Sequence, residues 1–266
     1  MNAARGYRAW FRITALRHVQ YRAAALAGLI TQVFWGLIMV MAYDAFFRSS
    51  SAAQPMRLTE VITYIWLGQA FLRMLPWNLE PELVNSIRSG AIACDLLRPV
   101  DVYGVWYWRI LAWRLIPTLM RGAPMLVLAR LFWGLQPPAS PEAALAALAA
   151  LAGALALGCA ISALLTAGMF WTVSGDGANY LVTALVVLLS GNVIPLPLFP
   201  DWAQTALRLL PFSGLADTPY RLYLGLLPVH QWWLVLAHQA VWTALLVMVG
   251  RTLTRRGLSR LVVHGG

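Results

Sequence analysis

The sequence predicts an all-α integral membrane protein with six transmembrane helices. Of its residues, 60% are hydrophobic and 11% are charged, whereas a soluble domain carries about 25% charged residues. Six apolar stretches approach or exceed the roughly 20 residues that a helix needs to cross a hydrocarbon core of about 30 Å. Arginine is concentrated in alternate connections between these stretches, as in multi-pass proteins of fixed orientation. We therefore treat residues 1–266 as a single transmembrane domain.

Residues 1–22 predict an amphipathic helix that lies on the inner membrane surface. Aromatic and basic side chains fall on opposite sides of this helix, with Tyr7, Trp10 and Phe11 against Arg5, Arg8 and Arg12. A solvated basic tail that precedes the first span is the alternative.

The six predicted spans differ in length and in how far charged residues or prolines interrupt them. Spans one and two occupy residues 23–77, spans three to five residues 106–199, and span six residues 231–250. The second, at 61–77, is short and contains Arg73, and the fifth, at 180–199, is interrupted by proline. A cytoplasmic loop at 78–100, an outer segment at 200–230 and a basic tail at 251–266 complete the layout. The excess of arginine in residues 5–22, in the 78–100 loop and in the tail places both termini in the cytoplasm.

Small residues recur every fourth position along the fourth span. In lipid, such a ridge lets helix backbones approach closely, so we expect a packing face, either within the subunit or across a dimer. Its members are Ala146, Ala150, Ala154, Gly158, Ser162 and Thr166.

The fifth span is predicted to end early and to continue as a broken, partly re-entrant outer segment. Proline removes a backbone donor and clashes with the preceding turn, so the helix should end near Ile194. Asp201 with Gln204 resembles a capping box and predicts a short helix at 202–210, and a second short segment follows at 219–225.

Several function classes are excluded or disfavoured. All 20 basic residues are arginine, so the chain lacks the lysine that a P-loop ATPase requires. No zinc-protease or serine-hydrolase motif occurs. The net charge of +10 is explained by arginines at the ends of spans rather than by nucleic-acid binding. We expect no metal site, no catalytic residue and no cofactor bound by this chain.

Arg121 is an ionisable residue inside the third predicted span, where charged residues are functional candidates by default. One interpretation makes it a polar residue of a translocation path. In the other, the third span begins later and Arg121 lies in a wet or protein-lined region.

The loop at 78–100 is the most polar stretch between two spans. Asn78 is a predicted cap and Pro81 falls in the first turn of a helix. That helix should weaken at Gly90 and end at Pro99. Leu83, Val84, Ile87, Ala91 and Cys94 share one face, away from Asn85, Arg88, Ser89 and Asp95. The loop either receives a soluble partner or is an interfacial helix against lipid.

Two motifs resemble one family. EPELVNSIRSGAIACDLLRPV at 80–100 is similar to the cytoplasmic loop of type-2 ABC exporter permeases, more narrowly of the small permeases of viologen and drug exporters. SGNVIPLPLFPDWAQTALRLLPF at 190–212, followed by PYRLYLG at 219–225, resembles the outer re-entrant signature of that family.

The resemblance implies one half of an exporter in the cell (inner) membrane, in contact with lipid. A second permease chain, identical or related, would complete the channel, and separate ATP-binding cassette subunits would hold ATP and Mg²⁺. The coupling element would comprise Glu82, Ile87, Arg88, Gly90, Asp95, Leu96, Arg98 and Pro99. The outer gate would comprise Ser190, Gly191, Pro195, Phe199 and Pro200.

Three other functions remain open at this point. They are an ion-coupled secondary multidrug transporter, an intramembrane enzyme that uses His238, and a membrane scaffold without transport. The cargo is not identified, since hydrophobic or cationic drugs, lipids and glycans all suit an apolar path.

Overall fold

The structure, a computed structural model, describes residues 3–20, 22–50, 54–92, 101–172 and 176–259. Within these residues the chain is helical and contains no β-strand. The first helix, α1 (Ala3–Gln20), lies in the predicted amphipathic segment. Its aromatic side packs on the third predicted span, where Tyr7 stacks on Trp108 at 6.5 Å between ring centroids and Phe11 meets the same ring edge-on.

Four helices in the described part of the chain are long and apolar enough to cross a membrane. They correspond to the predicted spans one, three, four and six. Their bounds are α2 (Arg22–Ser49), α5 (Val102–Phe132), α6 (Pro141–Gly168) and α10 (Trp232–Leu258).

The second predicted span is shorter than expected. Helix α3 (Leu58–Ala70) has 13 residues, which extend about 20 Å at about 1.5 Å per residue, and a 3₁₀ turn at Leu72–Met74 follows. The helix begins before residue 61 because the Glu60 carboxylate accepts from the backbone N–H of Arg57 at 2.8 Å. The predicted range of 61–77 is therefore wrong at both ends.

The fifth predicted span is also short. Helix α7 (Asp176–Leu189) has 14 residues, and it ends five residues before the predicted end at Ile194. Gly191 causes this early end because it adopts a φ of +83°, a left-handed conformation that glycine accepts without the penalty of a Cβ. With α3 and α7 both shorter than a crossing, four of the six predicted spans have helices of sufficient length.

The outer segment folds into short helices, as predicted. Helix α8 (Asp201–Leu209), a 3₁₀ turn (Pro211–Gly214) and helix α9 (Asp217–Leu224) lead to α10. The predicted capping box is wrong, because Pro200 is the N-cap of α8 and no side chain caps that helix end. Gln204 instead donates from Nε2 to the carbonyl of Phe199 at 2.8 Å.

Helix α6 is the central packing helix, and its predicted ridge of small residues is confirmed as a packing face within the chain. Every member of the ridge is buried. At Gly158 a Cβ would lie 2.7 Å from the carbonyl oxygen of Met74, so only glycine permits this close approach. On the ridge itself, Gln239 of α10 donates to the carbonyl of Ala150 at 2.9 Å.

Candidate functional site

The predicted coupling loop contains a short helix, α4 (Pro81–Arg88). Its N-cap is Glu80, whose carboxylate accepts from the backbone N–H of Leu83 at 2.7 Å, and Pro81 lies in the first turn as predicted. The prediction of Asn78 as the cap is wrong. The backbone carbonyl of Asn78 accepts from Arg114 at 2.8 Å instead.

The apolar face of α4 is partly as predicted. Leu83 is fully buried and Ile87 packs against the core. Ala91, which was placed on the same face, is exposed, whereas Ile92 is buried. The helix ends at Arg88 and turns at Gly90, whose φ of +73° is left-handed, so Gly90 follows the end of the helix rather than weakening its middle. The polar side chains of Asn85, Arg88 and Ser89 are exposed.

A network of ion pairs holds the start of α4 against α1 and α5. The Glu82 carboxylate pairs with Arg17 of α1 at 2.7 Å and with Arg109 of α5 at 3.1 Å. Arg109 also pairs with Glu80 at 3.4 Å, and its guanidinium lies 5.1 Å from the ring centroid of Trp10. Of these groups only Glu82 was predicted as a site residue.

Glu80 and Arg109 form the buried part of this network, with side chains that are 6% and 8% exposed. Burial raises the pKa of the Glu80 carboxyl, while the guanidinium of Arg109 and the hydrogen bond from Leu83 act in the opposite direction. Removal of one partner from a buried ion pair leaves the other charge buried and unpaired, which is costly. The pair of Glu80 and Arg109 therefore holds the start of α4 in place.

The other end of α4 is joined to the predicted fifth span. Arg88 Nη2 donates to both carboxylate oxygens of Asp176, the first residue of α7, at 2.8 and 2.9 Å. Nothing in the sequence indicated this pair, since residues that are 88 positions apart give no local signal of pairing. Helix α4 is thus connected at one end to α1 and α5, and at the other end to α7.

Four predicted coupling residues lie outside the described residues. They are Asp95, Leu96, Arg98 and Pro99, and Cys94 of the predicted apolar face lies there too.

The predicted gate residues Ser190, Gly191 and Pro195 come together around the start of α9. The carbonyl of Ser190 accepts from the backbone N–H of Asp217 at 3.1 Å. A Cβ on Gly191 would lie 2.7 Å from the hydroxyl of Tyr64 and 2.9 Å from Cβ of Asp217. Pro195 is buried as the N-cap of the 3₁₀ turn Leu196–Leu198.

Asp217 is the centre of this outer cluster, although the sequence did not single it out. Its carboxylate accepts from the Tyr64 hydroxyl at 3.1 Å and from the backbone N–H of Leu196 at 3.2 Å. It also pairs with Arg221 at 3.3 Å, and its side chain has no exposed surface. These bonds connect α3, the 3₁₀ turn Leu196–Leu198 and α9.

The other two gate residues, Phe199 and Pro200, lie at the entry to α8. The carbonyl of Pro200 accepts from the backbone N–H groups of Ala203 and Gln204, at 2.9 and 3.2 Å. Phe199 and Pro200 therefore shape the start of α8 and are not part of the Asp217 cluster.

Arg121 lies next to the first span. Its Nη2 donates to the carbonyl of Ala24 at 3.2 Å, and a Cβ on Gly28 would meet its guanidinium. The side chain is half-buried and lies in the interior of α5, which begins at Val102, so the helix of the third span does not begin later than predicted.

Arg114, which the sequence did not distinguish from the other arginines, is the most buried of the described arginines, with no exposed surface. It donates to the carbonyls of Arg73, Leu75 and Asn78, and to Ser162 Oγ of α6 at 2.7 Å. It thereby joins the 3₁₀ turn after α3 and the entry to α4 to the membrane helices α5 and α6.

His238 is placed as a packing residue. Its Nε2 lies 3.3 Å from the carbonyl oxygen of Leu209 at the end of α8. Trp242, one turn further along α10, donates to the same oxygen at 3.1 Å. Trp242 thus satisfies a carbonyl at a helix C-terminus, where no intrahelical donor exists, and His238 lies beside it.

Residues 33–265 match the family described as ABC-2 family transporter protein. No curated protein and no solved structure matches the chain.

Proposed function

The chain belongs to the ABC-2 family of transporter proteins, and on that premise we propose that it is the permease subunit of an exporter driven by a separate ATPase. Membership makes it a multi-pass membrane permease of an ABC transporter. The export direction, the coupling element and the gate are the specific parts of the proposal.

The observation that carries the proposal is the connection of α4 at both of its ends. Glu82 links its first turn to Arg17 and Arg109, and Arg88 links its last residue to Asp176. A partner that pushes on the exposed face of α4 would therefore displace α1, α5 and α7 together. We assign ATPase coupling to α4 and to the loop that follows it, including Gly90, Asp95, Leu96, Arg98 and Pro99.

The proposed outer gate lies at the far end of α7. This helix has 14 residues, so a displacement at Asp176 reaches Ser190 and Gly191 over about 21 Å of rigid helix. The gate also includes Pro195, Phe199 and Pro200. The hydrogen bonds that Asp217 accepts from Tyr64 and Leu196 hold the inner side of this gate in place. Arg121 is a candidate polar residue of the translocation path.

The complete exporter would contain two permease chains, identical or related, and two ATP-binding cassette subunits that hold ATP and Mg²⁺. In this arrangement α3 is the second span and α7 is the fifth. Both helices are short, and the turns that follow them form the rest of each span. Both termini and α4 lie in the cytoplasm, and α1 rests on the inner surface of the cell membrane.

Site-specific photocrosslinking with a co-expressed ATP-binding subunit tests the coupling assignment. Benzoylphenylalanine at Asn85, on the exposed face of α4, should capture that subunit. The same group at Trp202, which is 83% exposed on α8, should not. Capture from Trp202 alone, or from neither position, contradicts the assignment. Independently, ATP-dependent transport by vesicles that contain the permease without any ATPase would contradict the proposal that a separate subunit hydrolyses the ATP.

A further inference from the structure

Three arginines of α5 and the turn after α3 lie close together. Arg114 and Arg121 are about two turns apart on α5 and therefore share one side of it. The guanidiniums of Arg114 and of Arg73, in the 3₁₀ turn after α3, lie 5.1 and 4.8 Å from the ring centroid of Trp113. Arg73 is also close enough to Arg121 for the two charges to repel each other. The result is a cluster of positive charge between this turn and α5.

No carboxylate neutralises the cluster within the part of the chain that the structure describes. The ion pairs of the described residues include none of the three arginines. Arg114 is compensated by the backbone carbonyls and the Ser162 hydroxyl that accept from it. Arg73 donates to no group among the described residues, and Arg121 donates only to the carbonyl of Ala24. Because a charge removed from water is costly without a partner, Arg73 and Arg121 favour the binding of an anion.

One edge of each of these two guanidiniums is open to a ligand. The side chains of Arg73 and Arg121 are half-buried, and their Nε atoms are buried without a partner. Their unpaired Nη atoms, in contrast, retain accessible surface, so an anion can reach the Nη edge. The planar arrangement of arginine donors matches the oxygens of a phosphate group.

The open edges lie beside the beginning of α2. Arg121 contacts the first two turns of this helix, through the carbonyl of Ala24 at 3.2 Å and through Gly28, where a Cβ would meet the guanidinium. Nearby on α2, Leu26 and Ile30 are 59% and 63% exposed and form an apolar surface that suits lipid. In the proposed orientation α2 begins at the inner leaflet, where the headgroups of anionic phospholipids lie.

We propose that Arg73 and Arg121 together bind the phosphate group of an anionic molecule. A phospholipid of the inner leaflet is the source that the location favours, because its acyl chains would lie along the apolar surface of α2. The positive cluster attracts the phosphate and repels the cationic part of a zwitterionic headgroup. A phosphate held by both side chains joins the turn after α3 to α5. The choice of the inner leaflet rests on the proposed function, whereas the binding itself does not.

Competition between two lipids tests the proposal. The full chain in a mild detergent is mixed with equal amounts of phosphatidylglycerol and phosphatidylcholine of the same acyl chains, and native mass spectrometry gives the ratio of their affinities. An arginine near an anionic headgroup contributes about fivefold in affinity. We therefore expect phosphatidylglycerol to bind at least about fivefold more tightly. Equal binding of the two lipids, or binding of neither, would overturn the proposal.

Variants locate the preference. Arg73→Gln and Arg121→Gln remove one charge each and should each lower the affinity ratio about fivefold, whereas Arg121→Lys keeps the charge and should retain most of the preference. Arg130→Gln is the matched control, since Arg130 also lies on α5 and also donates to a single backbone carbonyl, that of Leu135 at 3.2 Å. It should leave the ratio unchanged. Because distortion of the fold weakens the binding of both lipids together, an unaltered ratio in both cluster variants, or an equal fall in Arg130→Gln, counts against the site.

Glycerol 3-phosphate distinguishes a lipid from a soluble phosphate compound. If a phospholipid is the ligand, an excess of glycerol 3-phosphate should leave the lipid ratio of the wild type unaltered. Displacement of phosphatidylglycerol from the wild type, with no such displacement in Arg73→Gln, would assign the same site to soluble phosphate compounds and overturn the lipid as its source.

The same measurements separate this inference from the proposed function, because lipid binding requires no ATPase. A lipid preference that depends on both arginines, with no photocrosslinking from Asn85, supports the phosphate site and removes the coupling assignment. Photocrosslinking from Asn85 without any lipid preference removes the phosphate site and leaves the coupling assignment standing.

Discussion

Arg88, the last residue of α4, donates from one nitrogen to both carboxylate oxygens of Asp176, the first residue of α7, at 2.8 and 2.9 Å. The side chains are 42% and 57% exposed, and exposed ion pairs contribute about 0–1 kcal/mol to stability. The pair is therefore more important for the connection that it makes between α4 and α7 than for the stability of the fold.

This connection predicts a transport defect that a charge exchange repairs. Arg88→Glu places two carboxylates together and should lower ATP-driven transport, while the free energy of unfolding changes by less than about 1 kcal/mol. The double variant Arg88→Glu with Asp176→Arg restores the opposite charges and should recover transport. Vesicle transport and thermal unfolding are the two measurements.

A matched control is available in α2. Arg48 and Asp44 form an exposed ion pair at 2.8 Å within one helix, so Arg48→Glu makes the same charge change without separating two elements. It should leave transport near the wild-type rate. An equal loss in Arg48→Glu and Arg88→Glu would show that the α4–α7 connection has no special role.

Gly191 should be far less tolerant of alanine than Gly90. Both have positive φ, +83° and +73°, which costs a residue with a Cβ about 1–2 kcal/mol. At Gly191 the new Cβ would also lie 2.7 Å from the Tyr64 hydroxyl, whereas at Gly90 nothing lies within 4 Å. Overpacking adds about 1–3 kcal/mol. Thermal midpoints in detergent should therefore fall more for Gly191→Ala, and equal falls would contradict the described turn.

Removal of the Arg114 guanidinium should be strongly destabilising. Arg114→Met leaves the carbonyl of Asn78 without the donor that it has in the folded chain, at about 1–3 kcal/mol for an unpaired buried group, while the carbonyl of Leu75 keeps only the backbone N–H of Trp77. Ser162→Ala removes only one of the acceptors of Arg114 and should cost about 1 kcal/mol. Denaturation in mild detergent measures both, and a larger effect for Ser162→Ala would contradict the role of Arg114.

The buried carboxyl of Glu80 makes the free energy of unfolding depend on pH in a specific direction. Burial raises its pKa in the folded chain, so the folded state binds the proton more tightly than the unfolded state. Its contribution to the free energy of unfolding is largest below the unfolded value of about 4.3 and declines as the pH rises through the folded pKa.

The comparison with Glu80→Gln isolates this titration. The difference in thermal midpoint, wild type minus variant, should fall as the pH is raised from about 4 to about 8. A difference that is constant or rises with pH would show that burial is not the main influence on the pKa of the Glu80 carboxyl.

The sequence by itself determined the class of the protein and most of its helices. The long apolar stretches predicted as spans one, three, four and six form helices long and apolar enough to cross a membrane, because each needs only its own composition to form a helix in lipid. The small-residue ridge on α6, the short helix with Pro81 in its first turn and the short outer helices are local patterns of the same kind. The two motifs identified a type-2 ABC permease, which the family match confirms.

Only the tertiary structure decided which distant side chains meet. Arg88 with Asp176, Glu82 with Arg17, and Tyr64 with Asp217 pair across long stretches of chain, and periodicity carries no information about such pairs. In the sequence Arg114 does not differ from the other arginines, and only the fold brings three backbone carbonyls to its guanidinium. Likewise, only the fold brings Arg73 close to Arg121. The early end of α7 belongs here too, because Gly191 takes up its turn against Tyr64 and Asp217, which lie far away in the sequence.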